Sequence, residues 1–463
     1  MSAARRLTRR DITLFTISAI LTIDGLAAAA AIGIQSLTWW LLSFLCFAIP
    51  YALISVELGT CRPSRGGIVH WVKQAFGHRW AARTSWLYWI NVALWMPAVF
   101  IMMTGVFAQL FWPNMPLSVQ IIFALVATWV AVAICCLSMD TGKWVPNIGA
   151  CCKILIVLLL GIGGVVTALR DGIANAITLS ALVPQWDEGL QFFPVIIFSM
   201  IGFDLVCCAG DEMDDPRRDL PVSMLAAGVL ITVLYLFAVF GMLVALPVDE
   251  IGLISGLLAT LERLLAPLPG SDGLIILLGL LALFSFVSNI VTWSLGSNRA
   301  AAEAAHDGAL PAVFGIEHPR HGTPLGASLL TGVVSSAAII LYGFMAGSAE
   351  QLYWGLFSFA SLILLLPYLL LFPAYRVLKK QDGHNPDGWQ LPDNPWLIRL
   401  VTVLPLLFTA QAAVFFVLPP GRFDSPHTLS TLLGLVIVMG IGEWVCQNKA
   451  SPGKEVLGEC AVD

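Results

Sequence analysis

Charged residues are scarce in this chain. Only 11% of its 463 residues are Asp, Glu, Lys or Arg, whereas 58% are hydrophobic, and the mean hydropathy is +0.85. Soluble domains carry about 25% charged residues, and a soluble globule of this composition would expose large apolar patches to water. The composition therefore excludes a soluble globular protein and indicates a polytopic membrane protein whose main partner is the lipid bilayer.

Sequence signals for several other classes of protein are also missing. There is no basic tract with interleaved aromatic residues, so nucleic-acid binding has no support. The ten cysteines show no Cys-x-x-Cys or Cys/His ligand spacing, and we interpret them as packing residues rather than metal ligands or disulfides. All seven histidines fall in predicted loops or at span ends, and no nucleophile–base pair is evident. Neither an enzyme, nor a cofactor, nor a sensor with a soluble output domain is predicted.

The apolar residues are grouped into stretches that are long enough to cross a membrane. A spanning helix needs about 20 mostly apolar residues, and only helices or closed barrels can span a bilayer. We therefore expect an all-α integral membrane protein with about 12 transmembrane helices. The predicted spans are 12–34, 36–57, 84–111, 118–138, 144–169, 191–209, 219–246, 272–298, 324–345, 351–376, 396–418 and 427–447.

Lysine and arginine are distributed unevenly between alternate loops. With the N-terminus in the cytoplasm, 20 of the 24 Lys and Arg residues fall on the cytoplasmic side and three on the outer side. The positive-inside rule then places both termini in the cytoplasm of a multi-pass cell (inner) membrane protein. The arginines before the first span imitate a signal peptide. An acidic residue within that span and the next span close behind favour an uncleaved helix.

Two acidic residues lie inside predicted spans, each beside a glycine. Asp24 precedes Gly25 in the first span, and Asp204 follows Gly202 in the sixth. A charge at mid-bilayer depth costs at least about 2.5–3.5 kcal/mol and usually faces a polar cavity on a functional pathway. Paired interruptions in two halves of a membrane protein point to a transporter's substrate site. Lys153 is the one Lys or Arg deep within a span.

Several motifs occur in a fixed order along nearly the whole chain. They resemble those of the amino acid–polyamine–organocation superfamily, and within it the glutamate/GABA antiporter group is most similar. The motifs are RPSRGGIVHWVKQAFG (62–77), FSMIGFD (198–204), DEMDDPRRDLP (211–221), WSLGSNR (293–299) and Pro367-Tyr368. The stretches EMDDPRRDLPVSML and ALPVDEIGLISGLLATLERLLAPL carry the similarity to the antiporter group.

The resemblance implies the LeuT-like fold: a 5+5 inverted repeat with discontinuous helices one and six, plus two C-terminal helices. It predicts a single transporter domain (1–447), with a first repeat at about 12–169, a second at about 191–376 and extra helices at about 396–447. Residues 448–463 are then a short cytoplasmic tail. A homodimer is left open.

The resemblance also implies a site for a small amino acid or amine between helices one and six. Its candidate substrate-binding residues are Ile23, Asp24, Gly25, Asn91, Val92, Met96, Phe198, Ile201, Gly202, Asp204, Trp293 and Ser358. Lys153, Asp204 and Asp24 are candidates for proton coupling. The resemblance implies this role for Lys153, because a lysine on helix five takes the place of sodium in sodium-independent relatives, and for Asp204, because it matches a carboxylate linked to proton sensing. No metal site is expected. The alternative roles are structural: Asp24 as a helix cap, and Lys153 as charge compensation.

The implied function is an amino acid or amine permease that works by alternating access. Exchange or proton coupling is expected, without sodium. Superfamily members usually have a Gly-Ser-Gly-like run where this chain has Ile23-Asp24-Gly25, and an acid there repels a carboxylate and attracts an amine. A cationic amino acid or polyamine is therefore the favoured substrate. A neutral or acidic amino acid antiporter is the alternative, and a sensor or membrane enzyme is disfavoured.

Overall fold

The computed structural model describes residues 9–64, 66–137, 144–207, 213, 215–382, 388–421 and 425–447. The tail at 448–463 and positions 211, 212 and 214 of the 211–221 motif therefore lie outside the described residues. Within the described ranges the regular structure is helical and contains no β-strand. The prediction of an all-α membrane protein is confirmed.

Eighteen α-helices are found in the described residues. They are α1 (Arg9–Ile20), α2 (Leu26–Ala30), α3 (Gln35–Ser43), α4 (Ile49–Cys61), α5 (Gly67–Phe76), α6 (His78–Phe111), α7 (Leu117–Leu137), α8 (Trp144–Arg170), α9 (Leu179–Leu182), α10 (Phe193–Phe198), α11 (Phe203–Cys207), α12 (Pro216–Ala245), α13 (Gly256–Leu265), α14 (Ser271–His306), α15 (Leu325–Met345), α16 (Ala349–Asp382), α17 (Pro395–Val417) and α18 (Ser425–Gln447). A π-helical turn, Phe44–Ala48, joins α3 and α4 into one span.

In the described ranges, eleven helical segments are long and apolar enough to cross a membrane. The first predicted span, 12–34, is not among them, because it is divided into α1 and α2 by a break and each part is too short to qualify. Several helices extend beyond their predicted ends: α6 begins at His78 rather than 84, and α14 continues to His306 rather than 298. Hydropathy marks only the part of a helix in lipid, whereas the polar ends continue into water.

The two predicted interruptions are present. Residues 21–25 separate α1 from α2, and residues 199–202 separate α10 from α11. Gly202 has φ +132°, a conformation that other residues rarely adopt, so the second break requires glycine at this position. The broken helix comes first in each group of five spans, and α17 and α18 follow. The fold is therefore the one expected, whereas the proposed repeat boundaries stay a prediction.

The helix α6 forms the centre of the molecule. In its most apolar stretch 94% of the residues are buried, and it packs against α14, α16, α15, α7 and α5. By contrast, only 22% of the corresponding stretch of α18 is buried, and large apolar side chains on its surface face outward. Such exposure suits a helix that contacts lipid. The central position of α6 brings its side chains against both broken helices.

Candidate functional site

A small cavity lies between the two broken helices and the spans α6, α14 and α16. Its lining residues are Ala19, Ile20, Thr22, Asn91, Trp95, Phe198, Ile201, Trp293 and Leu364. The free space is about 10 Å³, which is room for a single water molecule. A substrate as large as an amino acid can therefore enter only after the surrounding helices move apart.

Aromatic rings dominate the cavity wall. The Trp95 ring centroid is 6.0 Å from that of Phe198 and 6.1 Å from that of Trp293, and both contacts are edge-to-face. Phe198 also packs edge-to-face on Phe357 at 5.2 Å. Aromatic rings attract cations over their faces, and no basic side chain is among the described lining residues. The cavity therefore favours a positively charged ligand over an anion.

Asn91 supplies a polar group to this wall. Its amide nitrogen donates to the backbone oxygen of Ala360 on α16 at 2.7 Å. This contact fixes the amide's orientation and leaves its oxygen as an acceptor. An ammonium or guanidinium group in the cavity is a suitable donor for it.

Asp24 lies in the break of the first helix and is 1% exposed. Its Oδ2 accepts a hydrogen bond from the indole nitrogen of Trp95 at 3.2 Å, and its backbone oxygen accepts one from the Tyr353 hydroxyl at 2.6 Å. The Thr22 hydroxyl is also nearby, but Oδ1 has no hydrogen-bond partner of normal geometry in the described part of the chain. A buried carboxylate oxygen without a donor is energetically costly, so Asp24 is ready to accept one.

Lys153 and two other side chains donate hydrogen bonds to the backbone oxygens at the C-terminal end of α1. The last carbonyl groups of a helix have no partner within the helix. Here the Ser18 oxygen accepts from Lys153 Nζ at 2.8 Å, Ala19 from Trp293 Nε1 at 3.1 Å, and Ile20 from the Tyr235 hydroxyl at 2.9 Å. The positive charge of Lys153 also suits the negative end of the helix dipole. These three residues hold α1 where it stops.

Lys153 does not pair directly with Asp24. Its second hydrogen bond goes to the side-chain oxygen of Asn289 at 3.4 Å, and among the described residues it has no carboxylate within 4.0 Å. It still acts on Asp24 through space, because the two charges attract each other inside the protein. The structure therefore places Lys153 as a ligand of the broken helix rather than as half of an ion pair.

Asp204 lies on the first turn of α11, away from the cavity wall. Its Oδ1 accepts from the hydroxyls of Tyr51 and Tyr368, the second at 3.0 Å. The Tyr51 hydroxyl in turn accepts from the backbone N–H groups of Gly202 at 3.3 Å and Asp204 at 3.4 Å. The carboxylate thus joins α4, α11 and α16 just beyond the second break.

The other predicted residues divide into two groups. Phe198, Ile201 and Trp293 line the cavity with Asn91, and Gly202 lies against the lining residues Ile20 and Trp293, whereas Gly25 packs against Val195. Ile23, Val92, Met96 and Ser358 are buried outside the described lining. Met96 faces α15, where the Ser335 hydroxyl lies 3.7 Å from its sulfur, and the Ser358 hydroxyl donates to Gly355 at 3.3 Å.

Sequence reasoning did not find Trp95, Tyr235 or Tyr353. Trp95 could have been found, because it lies four residues after Asn91 and therefore on the same face of the helix. Tyr235 and Tyr353 carried no signal, since their contacts with the first break join residues more than 200 positions apart.

Replacing Tyr235 by phenylalanine is expected to lower the free energy of unfolding by about 1–3 kcal/mol. The hydroxyl bridges the first break, since it accepts from the Thr22 N–H at 2.8 Å and donates to the Ile20 oxygen. Its loss leaves both backbone groups buried without a partner, whereas the stacking on Trp40 at 4.4 Å is kept. Thermal unfolding in detergent measures the effect. Tyr342→Phe is the control, because that hydroxyl has no hydrogen bond in the described part of the chain.

The fold and this site define a membrane permease of the amino acid–polyamine–organocation superfamily. Residues 7–441 match the amino acid permease family, and the chain belongs to that family. It is 31% identical over 439 residues to the protein named probable agmatine/putrescine antiporter AguD of Lactococcus lactis subsp. lactis, an overlap of 94% of this chain and 93% of the relative.

More distant relatives were also found. The glutamate/gamma-aminobutyrate antiporter of the same Lactococcus strain is 23% identical over 92% of this chain and 86% of its own length. The inner membrane transporter YjeM of Salmonella typhimurium is 23% identical over 85% of this chain and 86% of its own length. The superfamily assignment is confirmed. Within it, the agmatine/putrescine antiporter is more similar to this chain than the glutamate/GABA antiporter is.

Proposed function

We propose that this protein exchanges organic amines across the cell inner membrane by alternating access. The observation that carries the proposal is the cavity between the two broken helices, whose described lining combines three aromatic rings with Asn91 and has no basic side chain. Such a wall suits a ligand with an ammonium or guanidinium group. The similarity to a protein named as an agmatine/putrescine antiporter over 94% of this chain supports the same substrate class.

Transport independent of sodium forms part of the proposal. Lys153 Nζ donates a hydrogen bond to the Ser18 backbone oxygen at the end of α1. This oxygen therefore already has a cationic partner within the protein and is not free to bind sodium. We assign Lys153, Asp24 and Asp204 to the coupling of exchange or proton movement. Both termini are assigned to the cytoplasm by the distribution of Lys and Arg.

Counterflow in proteoliposomes tests the proposal. Vesicles containing the wild-type protein are loaded with agmatine, putrescine, arginine, GABA, glutamate or leucine, and uptake of the same compound in labelled form is followed. We expect organic cations inside the vesicle to accelerate uptake at least about tenfold over empty vesicles, and choline in place of sodium to have no effect. Asp204→Asn is measured in parallel across pH, because it changes the carboxylate that the two tyrosines contact without changing its size.

The competing candidate is a neutral or acidic amino acid antiporter, which the match to the glutamate/gamma-aminobutyrate antiporter favours. Acceleration by GABA, glutamate or leucine without any response to the cations would select this candidate and reject ours. Vesicles that respond to none of the six compounds would reject both.

A further inference from the structure

We infer that Asp24 forms a second cation-binding subsite beside the aromatic cavity and thereby selects substrates that carry cationic groups at both ends and no carboxylate. The inference rests on the proposed function and assigns its specificity to one residue. The substrate class is that of diamines and guanidino-amines, as opposed to the α-amino acids from which they differ by one carboxyl group.

The position of Asp24 relative to the cavity is the first support. Thr22 lines the cavity two residues before Asp24, and Trp95 lines it while its indole nitrogen contacts Asp24 Oδ2 at 3.2 Å. A ligand that occupies the cavity and extends past the Trp95 ring therefore reaches the Asp24 carboxylate. Its other end stays among the aromatic rings and the Asn91 oxygen.

The unpaired oxygen is the second support. Asp24 is 1% exposed, and its Oδ1 has no hydrogen-bond partner among the described residues. No Lys, Arg or His nitrogen in the described ranges lies within 4.0 Å of the carboxylate. The Trp95 indole offers one neutral N–H donor to the carboxylate. The negative charge of Asp24 therefore has no directly contacting cation within the described protein. A substrate ammonium supplies both the missing charge and the missing donors.

The structural roles available to a buried acid in this place are filled by other groups. The N-cap of α2 is Gly25, and no side chain accepts a capping hydrogen bond there. The end of α1 is held by Lys153, Trp293 and Tyr235 instead. Tyr353 holds the break through the Asp24 backbone oxygen, a contact that any residue would provide. The only hydrogen bond of normal geometry that the carboxylate makes in the described part of the chain is therefore the one from the Trp95 indole, with the Thr22 hydroxyl nearby.

The same carboxylate rejects an anionic substrate. An α-amino acid that binds its side-chain cation among the aromatic rings would bring its carboxylate close to Asp24 in a region from which water is largely excluded. Like charges repel strongly in such surroundings, and no described basic side chain lines the cavity to offset them. Specificity then arises from attraction for one compound and repulsion of its close analogue.

Matched pairs of compounds test the inference. Agmatine and arginine differ only by the carboxylate, and so do putrescine and ornithine. Counterflow affinities are measured for both pairs with wild type, Asp24→Asn, Asp24→Glu and Trp95→Phe. Asp272→Asn serves as the control, because Asp272 is an exposed acid at the start of α14, many helical turns before Trp293.

In wild type we expect each amine to bind at least about 30-fold more tightly than its amino acid, as for one buried charge contact. Asp24→Asn should reduce this preference at least tenfold through weaker amine binding. Asp24→Glu should keep it and shift the best diamine from putrescine to the shorter propane-1,3-diamine. Trp95→Phe should also keep it, since the ring remains and Asp24 loses only a neutral donor.

Two outcomes would overturn the inference while leaving the proposed function standing: equal exchange of amine and amino acid by wild type, or an unchanged preference in Asp24→Asn. Loss of the preference in Trp95→Phe but not in Asp24→Asn would transfer the selectivity to Trp95 and also overturn it. Failure of wild type to exchange any of the cations would instead contradict the proposed function itself.

Discussion

Lys379→Met is expected to lower the free energy of unfolding by about 3–5 kcal/mol, which would be a large effect for a single residue far from the cavity. Lys379 Nζ donates to Glu57 Oε1 at 2.5 Å and to the Leu391 oxygen at 2.9 Å, and both charged side chains are 4% exposed. The Tyr375 hydroxyl and the Leu391 N–H bind the other carboxylate oxygen at 2.7 and 3.1 Å. Removal of the lysine leaves the Glu57 charge buried without its counterion.

A double-mutant comparison isolates the ion pair. The variant Glu57→Gln/Lys379→Met removes both charges, and we expect it to be more stable than Lys379→Met alone, since no uncompensated charge remains. Arg83→Met is the matched control, because Arg83 pairs with Glu443 at 2.9 Å but both side chains are partly exposed. Its expected cost is much smaller, because an ion pair exposed to solvent contributes little to stability. Thermal unfolding in detergent would contradict the argument if the two single variants were equally destabilised.

The same ion pair fastens the ends of three segments. It joins α4 and α16 to residues 388–394, where Thr60 exchanges hydrogen bonds with Trp389 and the Cys61 thiol donates to the Trp389 oxygen at 3.5 Å. Lys379→Met should therefore increase the rate at which a maleimide labels Cys61 in folded protein, as followed by peptide mass spectrometry. An unchanged rate would show that these segments stay together without the ion pair.

The second large effect is expected at Gly202, where alanine should abolish exchange. The residue has φ +132°, so any side chain forces the second break into another conformation. Its neighbours depend on that conformation, because the Gly202 N–H donates to the Tyr51 hydroxyl that also contacts Asp204. Counterflow and thermal unfolding measure the effect on function and on stability. Wild-type exchange by Gly202→Ala would refute the requirement for glycine.

Gly25→Ala provides the informative contrast, because the obstacle there is space rather than backbone conformation. Gly25 has φ −93°, which alanine adopts readily, but an added Cβ would lie 2.7 Å from Val195 Cγ1 on α10. We expect Gly25→Ala to impair exchange and Gly25→Ala/Val195→Ala to recover it. No neighbouring truncation should rescue Gly202→Ala, and Ile20→Ala is the one to test, since Ile20 Cγ1 lies 3.0 Å from the added Cβ. Recovered exchange in Gly202→Ala/Ile20→Ala would contradict the distinction between space and backbone conformation. So would a failure of Val195→Ala to restore exchange in Gly25→Ala.

Both helix breaks were predicted from the sequence, because each has a glycine and an acidic residue within an apolar stretch. A charge in lipid and a residue without a side chain are local properties, and each lowers the stability of a continuous helix whatever the surroundings. The boundaries were less accurate, since α6 and α14 continue past the apolar residues by which they were recognised. Asn91, Phe198 and Trp293, which the resemblance named as substrate contacts, line the cavity, and their contact with a substrate stays a prediction.

The sequence by itself determined the class of protein, the helical spans and the two breaks, because hydropathy, charge and glycine act over one helix length. Only the tertiary structure decided which groups meet. It paired Asp24 with Trp95 instead of with Lys153, and Glu57 with Lys379, which lies 322 positions away in the chain. Such contacts depend on how helices distant in the chain are oriented about their axes, and packing of whole helix faces sets that orientation. A residue's own neighbours in sequence carry no record of it.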